Sequence, residues 1–523
     1  MKFDKKLIII SMLVMLVCCV SAVSATDING TDDASDDIII DDNAVDEITD
    51  IVEDVEIDEV EDDPVEEQET NPVDGTINGQ TWDTYVYNTT GYLKTNDNLI
   101  FNGDFYAKDF GNFKIDRSIN VNATNAIFHN IGFDLTVSQI TINGGTFIFD
   151  EDAAVNSVIY DLGSQNTIKN TVMNITAPEN NDFYAINLNQ PNGAEVLDNV
   201  IYYIDNYANP NNYNYIIKVE KGSNVKVVGN NMTAILPMKT VEYINHTGIY
   251  RDFVAGVAVT ESNYFNFTGN KLEVTGNSRV GLYPTLDAVL IFESNWATIE
   301  DNTIIEKDIN STTNQYSYIY GIDVYSCNNI KINNNTVNMN ADQSGGHVGG
   351  NGTGAAYCVQ LTGPHSGVVV SNNKLTTQNN GPNAAIYSQN YFGDTSITVT
   401  NNTISVTGRG TSATWDVVTG MELQDNYATV TGNTISVTNL NTYSSGYNVY
   451  GISYCQFTNT THTYIILNNT VNVVNGRYTV YIMEGDFCNI TGNTLSSNYP
   501  RHRYSGNQTV YITGNDNIVG PNN

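Results

Sequence analysis

Two carboxylates are the first candidates for chemistry in this chain. Asp323, in YGIDVYS from Tyr320, and Glu422, in TGMELQ from Thr419, occupy equivalent places in two segments whose apolar residues alternate. Polysaccharide hydrolysis uses two such groups on one face, one protonated to aid the leaving oxygen and one ionised. Gln360 and Ser453 fall in the same column and interrupt it. Lyase chemistry would call for an acidic calcium cluster beside an Arg or Lys, yet Lys and Arg together number 22 against 58 Asp and Glu. Asp323 and Glu422 therefore read first as solvated strand positions and only in the alternative as a catalytic pair.

The remaining reactive side chains suggest no centre. His129, His246, His347, His365, His462 and His502 are isolated in sequence, and His347 lies in a Gly-rich stretch without the spacing of a phosphate cradle. Cys327, Cys358, Cys455 and Cys488 form no C-x-x-C pair, so zinc is not expected. No metal and no cofactor are expected. The separations leave open whether these cysteines are disulfides or free thiols.

The elements that must position these residues repeat. VTNNTI from Val399, VTGNTI from Val430, INNNTV from Ile332 and ITGNTL from Ile490 are copies of one phrase, in which Gly, Asn or Asp precedes an Asn. That Asn recurs as Asn199, Asn230, Asn270, Asn302, Asn335, Asn373, Asn402, Asn433, Asn469, Asn493 and Asn515. Variable spacing above a fixed minimum indicates a solenoid coil with loops of differing size. In ITVTNNTISV, Ile397, Val399, Ile404 and Val406 alternate as strand residues do, and Thr, Val, Ile and Tyr favour strands. Gly, Asn and Asp tolerate the left-handed corner, and the following Asn can face inward and pass amide hydrogen bonds up the stack. The expected fold is all-β, a right-handed parallel β-helix with an internal Asn ladder.

Along the chain, Lys2, Lys5 and Lys6 precede an apolar run and Val23-Ser24-Ala25, predicting a secretory signal peptide over 1–25 cut after Ala25. Residues 26–75 hold no Lys or Arg and are dominated by Asp and Glu, predicting a disordered acidic spacer. Much of the formal net charge of −36 sits there. Without a basic patch, nucleic acid is not an expected partner. Residues 76–523 form the β-helix domain, with 76–165 as N-terminal cap and first coils. No transmembrane span is expected once the signal is removed, and the location is secreted or extracellular cell surface.

The signal peptide, the acidic spacer, the opening FKIDRSINVNATNAIFHNIGF and the VTGNTI coils resemble the adhesin-like β-helix surface proteins of methanogenic archaea, within the pectate-lyase-like superfamily. The resemblance implies an exported protein that contacts other cells or polysaccharides. Members often carry C-terminal wall-attachment modules, and none follows YITGNDNIVGPNN, which bears on how the protein would be retained. The expected partner is a glycan or a surface protein of another cell, met by Tyr-rich insertions from Ile235, Glu306 and Thr438. Tyr is abundant at 33 residues against 3 Trp, and its flat apolar face with a polar tip suits sugars or protein epitopes. Sequons at Asn88, Asn122, Asn245, Asn310, Asn351, Asn401 and Asn507 would make it a glycoprotein. The alternatives are a polysaccharide lyase or glycoside hydrolase and a purely structural envelope component.

Overall fold

From Phe133–Leu135 onward, strands pair in parallel with the strand three places further along the chain, so three strands make one coil. One coil runs Tyr318–Tyr325, Lys331–Asn333 and Thr336–Ala341, and the next Ala355–Thr362, Val368–Ser371 and Lys374–Asn379. Their registers run residue by residue, as in Ile332↔Val370 and Val337↔Leu375. The chain is a right-handed parallel β-helix. The computed structural model describes residues 75–523 except 96–97, 180, 208–211, 241–253, 281–283, 309–317, 342–354, 380, 382, 390–394, 410–416, 426, 442–447, 455–462, 477 and 499–508. The expected signal peptide and almost all of the expected acidic spacer, together with Cys455, His246, His347, His462 and His502, lie outside the described residues.

Alternation puts one side chain in two into the bore. Ile332, Val370, Val399 and Val430 line one wall, and Val337, Leu375, Ile404 and Ile435 another, all within a single core cluster. The first strands add a bend. Their registers skip one residue in each coil, and Gly256, Ala288, Gly321, Cys358, Ala385, Gly420 and Gly451 stand at the skip. A Cβ at Gly321 would sit 2.6 Å from Val337 Cγ1 and 2.8 Å from the Cys358 carbonyl, so the bend needs a small residue where the first strand crosses the third. Near the opening, the bore is filled by stacked and tilted rings of Phe101, Phe105, Phe113, Phe128, Phe133 and Phe147.

The buried amides form a continuous chain. Asn199 Nδ2 donates to Asn230 Oδ1 at 2.9 Å, and the pattern runs through Asn270, Asn302, Asn335, Asn373, Asn402, Asn433, Asn469 and Asn493 at 2.9–3.1 Å. Each Oδ1 also accepts the backbone N–H of the preceding ladder Asn, as Asn402 Oδ1 does from Asn373 at 2.9 Å. The second Nδ2 hydrogen goes to a strand carbonyl, for Asn402 that of Val370 at 2.9 Å. The residues before these Asn, from Asp198 and Gly229 to Asn468 and Gly492, all have positive φ. The stack begins at Thr171, whose N–H and hydroxyl both donate to Asn199 Oδ1.

Asn515 is not in this ladder. The final rung is Asn522, whose Oδ1 accepts from Asn493 N and Nδ2 at 3.0 Å each. Ile512 pairs with Ile482 on a first strand, so the ITGN phrase at 512–515 turns the other corner of its coil. The ladder corner comes one strand later, after Ile518–Val519. Asn515 is exposed and its backbone N–H donates to Asp486 Oδ1.

Replacing Asn402 with Ala should cost roughly 2–5 kcal/mol, because the N–H and Nδ2 of Asn373 would both lose their buried acceptor. Asn515→Ala should stay within about 0.5 kcal/mol. Denaturant unfolding followed by circular dichroism separates the two, and equal losses would contradict the reassignment.

Candidate functional site

The outer face of the first strands carries the densest group of functional side chains. Ile322 and Val324 point into the core, whereas Leu290, the register partner of Asp323, belongs to a separate cluster on the other face with Tyr184, Tyr215, Ala255, Ala258 and Phe292. The outer column containing Asp323 continues through Gln360, Tyr387, Glu422, Ser453, Tyr481 and Tyr511. The neighbouring outer column holds Ala255, Asp287, Tyr320, Tyr357, Ala384, Thr419, Tyr450 and Tyr478.

Asp323 and Glu422 thus share a column but stand three coils apart, roughly 14 Å at the spacing of paired strands. That exceeds the separation of about 5–10 Å at which two carboxyls act on one glycosidic bond. Neither is fully solvated. Asp323 is 4% exposed, and Glu422 is half-buried with Gln424 Nε2 3.4 Å from its Oε1. Burial lifts both carboxyls to about 7, opposed at Glu422 by the Gln424 amide and at Asp323 by the Val324 backbone.

The carboxylate beside Asp323 is Asp287, one coil earlier and 1% exposed. Neither Asp287 oxygen has a hydrogen-bond partner, and Asp323 Oδ1 has none. Desolvation, then the Asp323 charge, holds Asp287 far above the usual carboxylate range. Glu306 lies behind them in the bore, between Val274 and Met339 in register, and both its oxygens lack a partner in full hydrogen-bond geometry. Desolvation, followed by the charges of Asp287 and Asp308, raises it well above its ordinary value against the nearby Ala288 amide. The stretch from Glu306 is thus strand Thr303–Asp308, while Ile235 and Thr438 begin in strands Asn231–Thr240 and Thr434–Asn439 rather than in loops. Most of the Tyr-rich insertions beyond these strands falls outside the described residues. No group of three or more His, Cys, Asp or Glu among the described residues is arranged to hold a metal ion.

Tyrosines flank the carboxyls. Tyr320, Tyr357 and Tyr387 stack with centroids 5.8 and 4.6 Å apart and planes within 8°. Further along, Tyr450, Tyr481 and Tyr511 stack at 4.7 and 5.0 Å. Rings stacked along the rod cover one another's faces; Tyr320, Tyr357, Tyr387, Tyr481 and Tyr511 are half-buried and Tyr450 is buried. Burial, then neighbouring groups, keeps the Tyr320 and Tyr357 hydroxyls protonated. Gln360, Glu422 and Ser453 intervene, so the floor alternates aromatic edges with hydrogen-bonding groups.

Two further groups lie away from this face. His365, 2% exposed, places Nε2 2.6 Å from Asp425 Oδ1 and Nδ1 2.8 Å from the Gly363 carbonyl. Ser388 donates to the other Asp425 oxygen, so the serine meets the carboxylate and not the imidazole, unlike a nucleophile–base pair. Desolvation works against the His365 charge, but the Asp425 hydrogen bond and charge with the Gly363 carbonyl outweigh it and raise the pKa. Cys327, Cys358 and Cys488 are buried, and the first two are free thiols. Cys327 is part of a second ladder, accepting from Ser294 N as Ser294 Oγ accepts from Ser262 N. Desolvation pushes its thiol to about 12, which leaves it unreactive.

The signs of these shifts agree. A carboxyl raised on folding costs stability as pH climbs from its unfolded value, 3.8 for Asp, to its folded value, about 7 for Asp323. His365 contributes stability in full below 6.5, and that contribution is lost as pH rises through its raised folded value. The melting temperature should therefore fall between about pH 5 and pH 8. Asp323→Asn should flatten part of that fall, and a melting temperature that rises over the interval would contradict the assignment.

No protein-family model matches the chain, and no curated protein matches it. Among solved structures, a periplasmic alginate epimerase is similar over 73% of this chain and 84% of that one, at 10% identity and a TM-score of 0.33. An alginate lyase in complex with a trisaccharide is similar over 86% and 98%, at 11% identity and 0.33. A mutant tailspike protein of an E. coli bacteriophage, in complex with a pentasaccharide, is similar over 83% and 76%, at 11% identity and 0.31. Likeness at this level says nothing of chemistry.

Proposed function

We propose that this is an exported, adhesin-like surface protein that binds a polysaccharide along the outer face of its first strands without cleaving it. The observation that carries the reading is the pair of tyrosine stacks, Tyr320–Tyr357–Tyr387 and Tyr450–Tyr481–Tyr511, with Glu422 and Ser453 between Tyr387 and Tyr481. Aromatic edges at coil spacing suit a polymer of hydroxylated rings lying along the rod. In this reading residues 1–25 direct export, 26–75 form a spacer and 76–523 present the face, as the likeness to methanogen adhesin-like proteins suggests. Glycans on exposed sequons such as Asn401 would shield the rod.

Charge narrows the ligand. Among the described residues of the two outer columns, no Lys or Arg follows Lys218, while Asp287, Asp323 and Glu422 do. A uronate polymer would find no cation there to balance its carboxylates, so a neutral polysaccharide is the fitting ligand.

One observation favours hydrolysis as a second reading: Asp287 and Asp323 are carboxyls on adjacent coils with raised pKa values. Against it, both are at least 96% buried, which keeps a glycosidic oxygen from reaching them.

Size-exclusion chromatography of the purified rod with galactomannan, mixed-linkage glucan, alginate and polygalacturonate tests both readings. Co-elution with a neutral polymer of unchanged length is the expected result, weakened roughly tenfold by Tyr387→Ala. Shortened polymer, abolished by Asp287→Asn, would establish the hydrolase instead.

A further inference from the structure

The first corner of each coil repeats a second left-handed position that no residue type announces. Gly193, Asn224, Tyr264, Trp296, Asn329 and Gly367 follow the bridged series Asn192, Ser223, Asn263, Asn295, Asn328 and Ser366, and all have φ between 55° and 76°. Gly and Asn suit that backbone, whereas a bulky aromatic side chain there is an outlier. Yet two successive coils carry Tyr264 at φ 56° and Trp296 at φ 59°. They are not buried: Tyr264 is 55% exposed and Trp296 52%. Core packing therefore does not account for them. The rings lie 14° from parallel with centroids 6.2 Å apart, one stacked aromatic pair along the rod axis. Asn224 and Asn329, one coil to either side, are too short to cover it.

We propose that Tyr264 and Trp296 form a second sugar-binding platform, which takes the apolar face of a pyranose ring; the proposal rests on the polysaccharide-binding reading above. Backbone strain combined with solvent exposure favours a ligand over a structural role, because Asn would satisfy the corner at lower cost. Size favours a sugar over a protein partner: two rings offer far less than the roughly 800 Å² per partner of a stable protein interface. Polar groups stand nearby: Asn263 and Asn295 immediately precede the rings, and Glu261 and Glu293 turn the same corners.

The test replaces each aromatic with the residue its column already uses, in Tyr264→Asn, Trp296→Asn and the double variant of the mature chain. Melting temperature is measured beside co-elution with galactomannan and mixed-linkage glucan. The proposal expects the variants to melt at or above the wild-type temperature while binding at least about tenfold more weakly. Trp296→Phe should retain most of the binding, and polymer should shift the tryptophan fluorescence of wild type more than that of Trp296→Asn. Full binding by the double variant would overturn the platform while leaving the first-strand face intact. A lowered melting temperature would make the rings structural and overturn it as well. Wild-type protein that binds no polymer would remove the polysaccharide reading itself, and the platform with it.

Discussion

The amide ladder is the constraint from which the rest of the molecule follows. An asparagine buried in an apolar bore is costly unless all its hydrogen bonds are made. Here each Oδ1 accepts twice and each Nδ2 donates twice, but only because an identical residue stands one coil above and below. That requirement fixes the register of every neighbouring strand, since a slip of one residue would break the ladder and turn the apolar wall outward together. It also fixes the backbone before each rung, where Asp, Asn or Gly takes the left-handed conformation. Thr171 can begin the stack because it only donates to the next rung, and Asn522 can extend it because its side chain still reaches the Ile490 carbonyl.

Much of this was legible in the sequence because the ladder corner is announced by residue types with physical meaning. Alternation named the strands, and a left-handed residue before an inward amide named the turn. The same phrase misplaced one rung at Asn515, because both corners of a coil use left-handed residues and the types alone do not say which corner is being turned. The first corner escaped notice for a related reason. Its left-handed residues include Gln190, Lys221, Glu261, Glu293, Tyr264 and Trp296, none of which advertises that backbone.

The carboxyl group on the outer face was harder still to read. The bend at Gly321 and its equivalents drops one residue from the alternation, so the face taken by Asp287 cannot be had by counting in twos. Asp323 and Glu422 do share a column, as equivalent places in two coils imply. How many coils separate them depends on register, and register places Gln360 and Tyr387 between them. Burial was invisible for another reason. A strand residue on the outer face is expected to be wet, yet Asp287 and Asp323 lie among a second apolar cluster that includes Tyr215, Leu290 and Phe292.

These departures from the repeat fall on the outside of the rod, and the solenoid explains why they are tolerated. Each coil touches only its neighbours, so a strained corner or an unpartnered carboxyl destabilises locally and is offset by coils that obey every rule. The ladder runs unbroken from Asn199 to Asn493, although the buried acids Glu306 and Asp308 enter the bore from one strand. Burial pushes the Glu306 carboxyl well above its ordinary range, and it stands behind the coils whose outer face carries Asp287 and Asp323. Acidic side chains therefore accumulate on both surfaces of the same sheet edge while the ladder passes through those coils intact. A scaffold whose register is set by one buried amide per coil leaves its other columns free to hold groups that folding alone would not select.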